Sequence, residues 1–293
     1  MKRLIKTSYQ QLLERYKISK LAIASLSKGL INRNLFHNVE KYCMFIGYPR
    51  SGHSLVGALI DAHPNIILSH ELDALQYVEA GFSKLQLYSL LLNNSQYFIN
   101  KEKSLIPETE IPKGRFKYKV PNQWNGKFAN LKIIGDKRGG GTTKRLRDNF
   151  QLFKDLENKI KIPLKIIHVV RNPFDNISSI YKKCLSKSLE WSIDYYFDLC
   201  YANESIIKRI DSNKIFLLKL ESLIENPQMQ LKEITQSFLE LETNDDYLED
   251  CSSIIFSSPN KSRSKCPWNE DLIELTQRKI DQVSFLQGYN YDN

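Results

Sequence analysis

The chain has 293 residues, 42% of them hydrophobic and 26% charged. That composition excludes a disordered or fibrous protein and leaves room for one large domain, or two small ones, with a real core. The formal net charge of +9 suits an anionic partner such as a nucleotide, a polyanionic sugar or a membrane surface. Lys, Asn and Ile are abundant along the whole chain, however, so compositional bias explains the excess more simply. Five cysteines (Cys43, Cys184, Cys200, Cys251, Cys266) without C-x-x-C spacing argue against a zinc site or a disulfide framework and fit a reducing compartment.

Residues 1–40 read as an amphipathic helical segment, with Leu4, Ile5, Leu12, Leu13, Ile18 and Leu21 at helical spacing. Such a segment packs on the body of the domain or makes peripheral contact with a membrane. Lys2, Arg3 and Lys6 precede no apolar signal core, because Gln10, Gln11, Glu14, Arg15 and Lys17 interrupt it. "LAIASL" is too short to span a bilayer. The expected location is cytoplasmic.

A βα pattern then begins. "YCMFIGY" is a short apolar run of buried-strand type, followed by a glycine turn and a helix over 54–62 that ends before Pro64. Further strand-like runs are "LKIIGD" (131–136), "LKIIHVV" (164–170) and "KIFLLKLE" (214–221), with helices expected over 82–94, 189–210, 223–239 and 269–286. Runs apolar on both faces assemble into a buried parallel sheet flanked by helices, an α/β fold. The stretch "GRFKYKVPNQWNGKFA" alternates around Asn125-Gly126 and reads as a small hairpin. No linker divides residues 41–293, which are expected to form one domain.

"GYPRSGHS" (47–54) satisfies the P-loop pattern at Gly47, Gly52 and Ser54, but His53 occupies the lysine position. Amides at a helix N-terminus bind phosphate without a lysine, and Arg50 adds a forked cation. A plain glycine turn is the competing reading. ATP is disfavoured, since no strand ending cleanly in Asp follows.

"VVRNPFDNISSIY" (169–181) again joins a strand end to a helix start. Asn172 suits the N-cap, Pro173 the first turn and Asp175 the helix dipole. Arg171 and Ser179 exceed that helix grammar, because both could face one anion.

These two motifs, in this order, resemble the nucleotide-dependent sulfotransferase family, in its bacterial or carbohydrate-type branch. Its members use 3′-phosphoadenosine 5′-phosphosulfate (PAPS) as sulfuryl donor and release 3′-phosphoadenosine 5′-phosphate (PAP). The resemblance places Tyr48, Pro49, Arg50, Ser51, Gly52, His53 and Ser54 around the 5′-phosphosulfate, and Arg171 and Ser179 on the 3′-phosphate. Glu221, Leu223, Pro227, Phe238-Leu239 and Gly288-Tyr289 are in step with its downstream segments, so the similarity spans about residues 42 to 291. It implies a P-loop-like three-layer sandwich, a small-molecule or glycan acceptor, no metal and no nucleic-acid partner.

The resemblance also gives Arg50 the task of stabilising charge on the bridging oxygen. In "HPNIILSHELDAL" it offers Glu71 as general base, with His70 second and Asp73 behind. A carboxylate in a partly dry cleft would have its pKa raised for that role. Asp136 and Lys137 match the family's (G)[DE]K segment, making Lys137 a second cation. "RGGG" (138–141) departs from it and reads as a mobile lid, an anion nest or a merely flexible loop. Arg263 is expected at the 3′-phosphate. Tyr118, Trp124, Trp191, Tyr195 and Tyr196 offer ring faces for the acceptor. His63 and His168 read as structural. Two rival readings are a P-loop nucleotide kinase-like enzyme and a non-catalytic PAP- or polyanion-binding protein of the same fold.

Overall fold

Five short strands form one parallel sheet in the computed structural model, which describes residues 18–105, 119–184 and 186–293. They are β1 (Lys41–Ile46), β2 (Ile66–His70), β3 (Ile133–Lys137), β4 (Leu164–Val170) and β5 (Ile215–Lys219), in the order β2-β3-β1-β4-β5. Alternation along the strands sorts the core onto two faces. Tyr42, Met44, Ile46, Ile134 and Ile166 join one buried cluster, and Cys43, Phe45, Ile133, Ile167 and Val169 the other. Helices cover both faces, as the α/β expectation requires.

A helix over 18–31 (α1) precedes the sheet. The earlier part of the expected N-terminal helix lies outside the described residues. After β1 come α2 (His53–Asp61), then β2, α3 (Ala74–Glu79) and α4 (Lys84–Leu105). Between β3 and β4 lie α5 (Gly140–Asp148) and α6 (Gln151–Ile160). The α7 helix (Pro173–Lys183) and α8 (Leu189–Ile207) separate β4 from β5. The chain then closes with α9 (Leu220–Glu225), α10 (Pro227–Lys232), a π-helical turn over Glu233–Phe238, α11 (Asp245–Ser253) and α12 (Glu270–Asp281).

Three expectations change. The single helix over 223–239 is broken at Asn226 (φ −135°, ψ 67°), because a residue preceding proline is driven out of the α region. The helix expected over 269–286 stops at Asp281. The described part of the expected hairpin carries no strand over residues 119–130, and 111–118 lie outside the described residues. Asn125 and Gly126 do take positive φ (43° and 75°), so the turn forms, but it packs on the end of α2 through Trp124 N to Ala62 O (3.1 Å).

The order of the strands sets the site. From β1 the chain moves outward to β2, and from β3 it crosses back to β4, so β1 and β4 are neighbours whose following loops diverge. A crevice at such a switch point, beyond the carboxyl ends of the strands, is where open parallel sheets take ligands. Both motifs begin there.

Candidate functional site

The loop after β1 ends at Gly52, which takes φ +94° and caps α2 with no side chain. Left-handed backbone at this position favours glycine, and it leaves the first-turn amides of α2 without a side-chain acceptor. Those amides and the helix dipole make an anion cradle. Arg50, also at positive φ (71°), is exposed beside it. Its guanidinium makes no hydrogen bond or ion pair among the described residues.

The cradle is braced from behind. Gly47 N donates to Thr143 Oγ1 (2.9 Å), and Asn176 Nδ2 donates to Pro49 O (2.9 Å), tying the loop to α5 and α7. "RGGG" is therefore no loose lid. Gly139 (φ 50°) caps α5, and a Cβ there would lie 3.1 Å from the His53 ring; one on Gly140 would lie 3.2 Å from Pro49. Glycine lets the α5 N-terminus close against the loop. Thr143 and Asn176 were missed by the sequence reading, although "GGGT" and "RNPFDN" hold the signal: small residues and an amide at the ends of facing helices.

Beside the first turn of α2 stands Lys137, the last residue of β3, with a side chain only 2% exposed. Its ammonium donates to Ser54 Oγ (3.0 Å) and Glu71 Oε1 (3.1 Å). His53 opens α2 with its backbone amide, while its ring is directed to Ser51 and Glu71. Its Nδ1 lies 3.1 Å from Ser51 Oγ and its Nε2 3.9 Å from Glu71 Oε1. Burial, reinforced by the Lys137 charge, lowers the imidazole pKa against the pull of Glu71, so the ring is neutral near pH 7.

Glu71 thus meets a cation and an imidazole. His53 and the Lys137 ammonium hold its carboxyl well below the ordinary carboxylate range, against desolvation. At 3.9 Å the imidazole is beyond hydrogen-bond range, so the 3.1 Å ammonium is the firmer contact. This corrects the expectation of a raised pKa: the carboxylate is half-exposed and ion-paired. His70, the cross-strand neighbour of Lys137, stacks on Phe98 (3.7 Å between ring centres), and burial, with the Lys137 charge, pushes its pKa down to about 3. Asp73 holds Arg145 in a two-point pair (2.6 and 2.7 Å), and Asp136 accepts the amides of Leu72 and Ala74, which fixes the turn carrying Glu71.

At the end of β4, Arg171 Nη1 lies 3.4 Å from Ser179 Oγ, bringing the two together as the motif implied. Asn172 caps α7 through Phe174 N (3.0 Å). Burial, with Arg50 and Arg263 nearby, pulls the Arg171 pKa below its ordinary value against Asp175 and Glu221. Clustered guanidiniums of this kind invite an anion. Arg263 is buried, and its contacts are internal, as is that of Arg171 Nη2 with Asn260 O. Its backbone N–H and guanidinium meet Asp175 (2.9 and 3.5 Å), and the guanidinium also donates to Asn290 O (3.3 Å) and Asn293 O. It anchors the 288–293 segment beside Arg171. Glu221 accepts from Asn172 N and Tyr289 OH (both 2.8 Å) and is a further brace.

The expected ring faces separate. Tyr196 is core, packed on Tyr48 (4.5 Å between ring centres), and Trp124 sits at the far end of α2. Tyr118 lies outside the described residues. Trp191 and Tyr195 stack at 5.1 Å beside Lys144, whose Nζ lies 3.1 Å from Tyr195 OH. His168 is wholly buried in β4, and His63 bonds to Glu242 O and Asn65 N. Among the described residues no group of three or more His, Cys, Asp or Glu could hold a metal ion.

An uncapped helix start after β1 and an Arg–Ser pair after β4, on one parallel sheet, define an α/β protein of the P-loop-like class. The sulfotransferase domain family matches residues 40–285. The chain belongs to that family. No curated protein matches the sequence. Among solved structures it is similar to the sulfotransferase domain from the curacin biosynthetic pathway (14% identity, 83% of this chain and 96% of that one, TM-score 0.49). It is similar too to the sulfotransferase domain of the Synechococcus PCC 7002 olefin synthase (13% identity, 82% and 94%, TM-score 0.49). A third is mouse sulfotransferase SULT7A1 complexed with PAP (15% identity, 80% and 68%, TM-score 0.37).

Proposed function

We propose that this chain transfers the sulfuryl group of PAPS to a hydroxyl or amine of a small-molecule or glycan acceptor, releasing PAP. The observation that carries the reading is the pairing of Arg171 with Ser179 (3.4 Å) beside a cradle walled by Arg50 and Lys137. One phosphate at each end, with a sulfonate against Lys137, satisfies all four groups.

The acceptor oxygen attacks sulfur in line while the bond from sulfur to the bridging oxygen breaks. That oxygen leaves on the 5′-phosphate of PAP. Its developing charge is met by Arg50 and the first-turn amides of α2, electrostatic stabilisation from groups already in place. Lys137 and Ser54 orient the sulfonate. Glu71 takes the acceptor proton. In the resting site Lys137 holds that carboxylate in its weakly basic state; a sulfonate that draws the ammonium toward itself raises its basicity when it is needed. Trp191, Tyr195 and Lys144 form the acceptor wall.

The test is a thermal-shift comparison of PAP with ATP–magnesium, followed by transfer of radiolabelled sulfate from PAPS to a panel of hydroxylated acceptors. PAP alone should raise the unfolding midpoint. Stabilisation by ATP–magnesium and none by PAP would establish the kinase-like reading instead.

A further inference from the structure

The α1 helix is amphipathic the wrong way round. Its small residues face the protein: Ala22 O accepts from Gln86 Nε2 (2.9 Å), Ser25 is buried, and a Cβ on Gly29 would lie 2.9 Å from Leu85 O. Four of its six large apolar residues, Ile23, Leu26, Leu30 and Ile31, face water, while Ile18 and Leu21 are half-buried. Ile23 is 74% exposed, Leu30 54% and Ile31 77%, with Leu26 and Leu35 beside them. Ile23, Leu26 and Leu30 follow i, i+3, i+7 spacing and make one continuous apolar stripe. Scattered exposed apolar residues need no explanation, but a stripe along one helix does.

The charge around this stripe is equally uneven. Residues 1–40 hold eight Lys and Arg against two Glu, so six of the nine excess positive charges lie in the first 40 residues. Lys20, Lys28 and Arg33 are exposed on and next to α1 itself. Apolar side chains aimed outward and flanked by cations match an anionic bilayer surface, where the stripe enters the acyl boundary and the cations meet headgroups. No helix among the described residues is long and apolar enough to cross a membrane, so the contact is interfacial.

We propose that the α1 face built from Ile23, Leu26, Leu30 and Ile31 docks this protein on anionic lipid membranes. The inference stands apart from the sulfuryl-transfer reading, and either can fail without the other.

Co-sedimentation of the full chain with phosphatidylglycerol–phosphatidylcholine vesicles tests it, with pure phosphatidylcholine vesicles as control. The chain should pellet with the anionic vesicles, and less so as salt is raised. Replacing Ile23, Leu26 and Leu30 together by Gln should weaken binding on the order of a hundredfold. These side chains are exposed, so the variant keeps its fold, which its unfolding midpoint checks. Lys20→Gln with Lys28→Gln should weaken binding to anionic vesicles while leaving that midpoint unchanged. Failure to pellet with anionic vesicles at low salt overturns the proposal, as does undiminished pelleting of the triple variant. A concentration-dependent dimer in vesicle-free solution that the triple variant loses would assign the stripe to a second copy, and overturns it too.

Discussion

Lys137 Nζ lies 3.0 Å from Ser54 Oγ, so the ammonium at the first turn of α2 is delivered from the end of β3. The P-loop lysine position, three residues into the glycine turn's second half, is filled by His53, whose ring is directed to Ser51 and Glu71. The charge is kept and its route is changed. Lys137→Met should therefore lower the PAPS turnover number on the order of 10²–10³-fold. PAP lacks the sulfonate that Lys137 is proposed to orient, so PAP affinity should stay near that of the parent. Steady-state kinetics beside PAP titration calorimetry separate the two.

If Arg171 and Ser179 hold the 3′-phosphate as proposed, a nucleotide without one does not meet them. Arg171→Ala should cost on the order of 10–10² in PAP affinity, the loss of charge-assisted hydrogen bonds. Binding of adenosine 5′-phosphate should barely change. Ser179→Ala should give the smaller effect in the same direction. Competition binding with both nucleotides measures the ratio; equal losses for the two would remove the 3′-phosphate from this pair.

The sheet was legible because its strands are apolar on both faces, and the places of the glycine turn and of the Arg171–Ser179 segment because each directly follows an apolar strand run, β1 and β4. What stayed hidden has physical causes. The electrostatics of Glu71 depends on Lys137, 66 positions later, which no local pattern couples to it. Arg263 looks like any basic loop residue until Asp175 and the 288–293 segment surround it. "RGGG" reads as flexible by composition, yet its missing side chains are what let α5 close against Pro49 and His53. The inverted polarity of α1 was also out of reach, since periodicity says which residues share a face and not which way that face points.

For Glu71 as the proposed base, Glu71→Gln should reduce turnover on the order of 10²–10⁴-fold with PAP affinity retained. His70→Asn should leave turnover within about threefold, because the ring is stacked on Phe98 and burial pushes its pKa down to about 3, which leaves it a weak base. Full activity in the Glu71 variant would move the base elsewhere. Single-turnover rates on preformed PAPS complexes read this directly.

Asp61 gives a pH prediction for the fold. It is buried where α2 meets β2 and α4, accepting from Leu68 N (2.7 Å) and Ser95 Oγ (3.2 Å), and burial pushes its carboxyl up to about 8. Unfolded, it titrates near ~3.9. A group with a raised folded pKa contributes stability that is complete below the unfolded value and lost as pH rises through the folded one. The parent should therefore lose stability from about pH 4 to about pH 8. Asp61→Asn, which keeps an acceptor without the charge, should flatten that fall. Unfolding midpoints of both proteins at pH 5 and pH 8 check it; parallel changes in the two would clear Asp61 of the effect.

The last prediction tests the loop by restoring what it lacks. His53→Lys rebuilds the P-loop signature in sequence, but the new ammonium would share Glu71 with Lys137 in a site where Gly139 packs against the ring it replaces. Two cations on one carboxylate repel each other, and the second is poorly solvated there. The variant should lose roughly tenfold in PAPS turnover and gain no stabilisation from ATP–magnesium. His53→Asn, neutral and able to meet Ser51, should stay closer to the parent. A rise in the unfolding midpoint of His53→Lys with ATP–magnesium would mean that the missing lysine alone separates this loop from a nucleotide-triphosphate site.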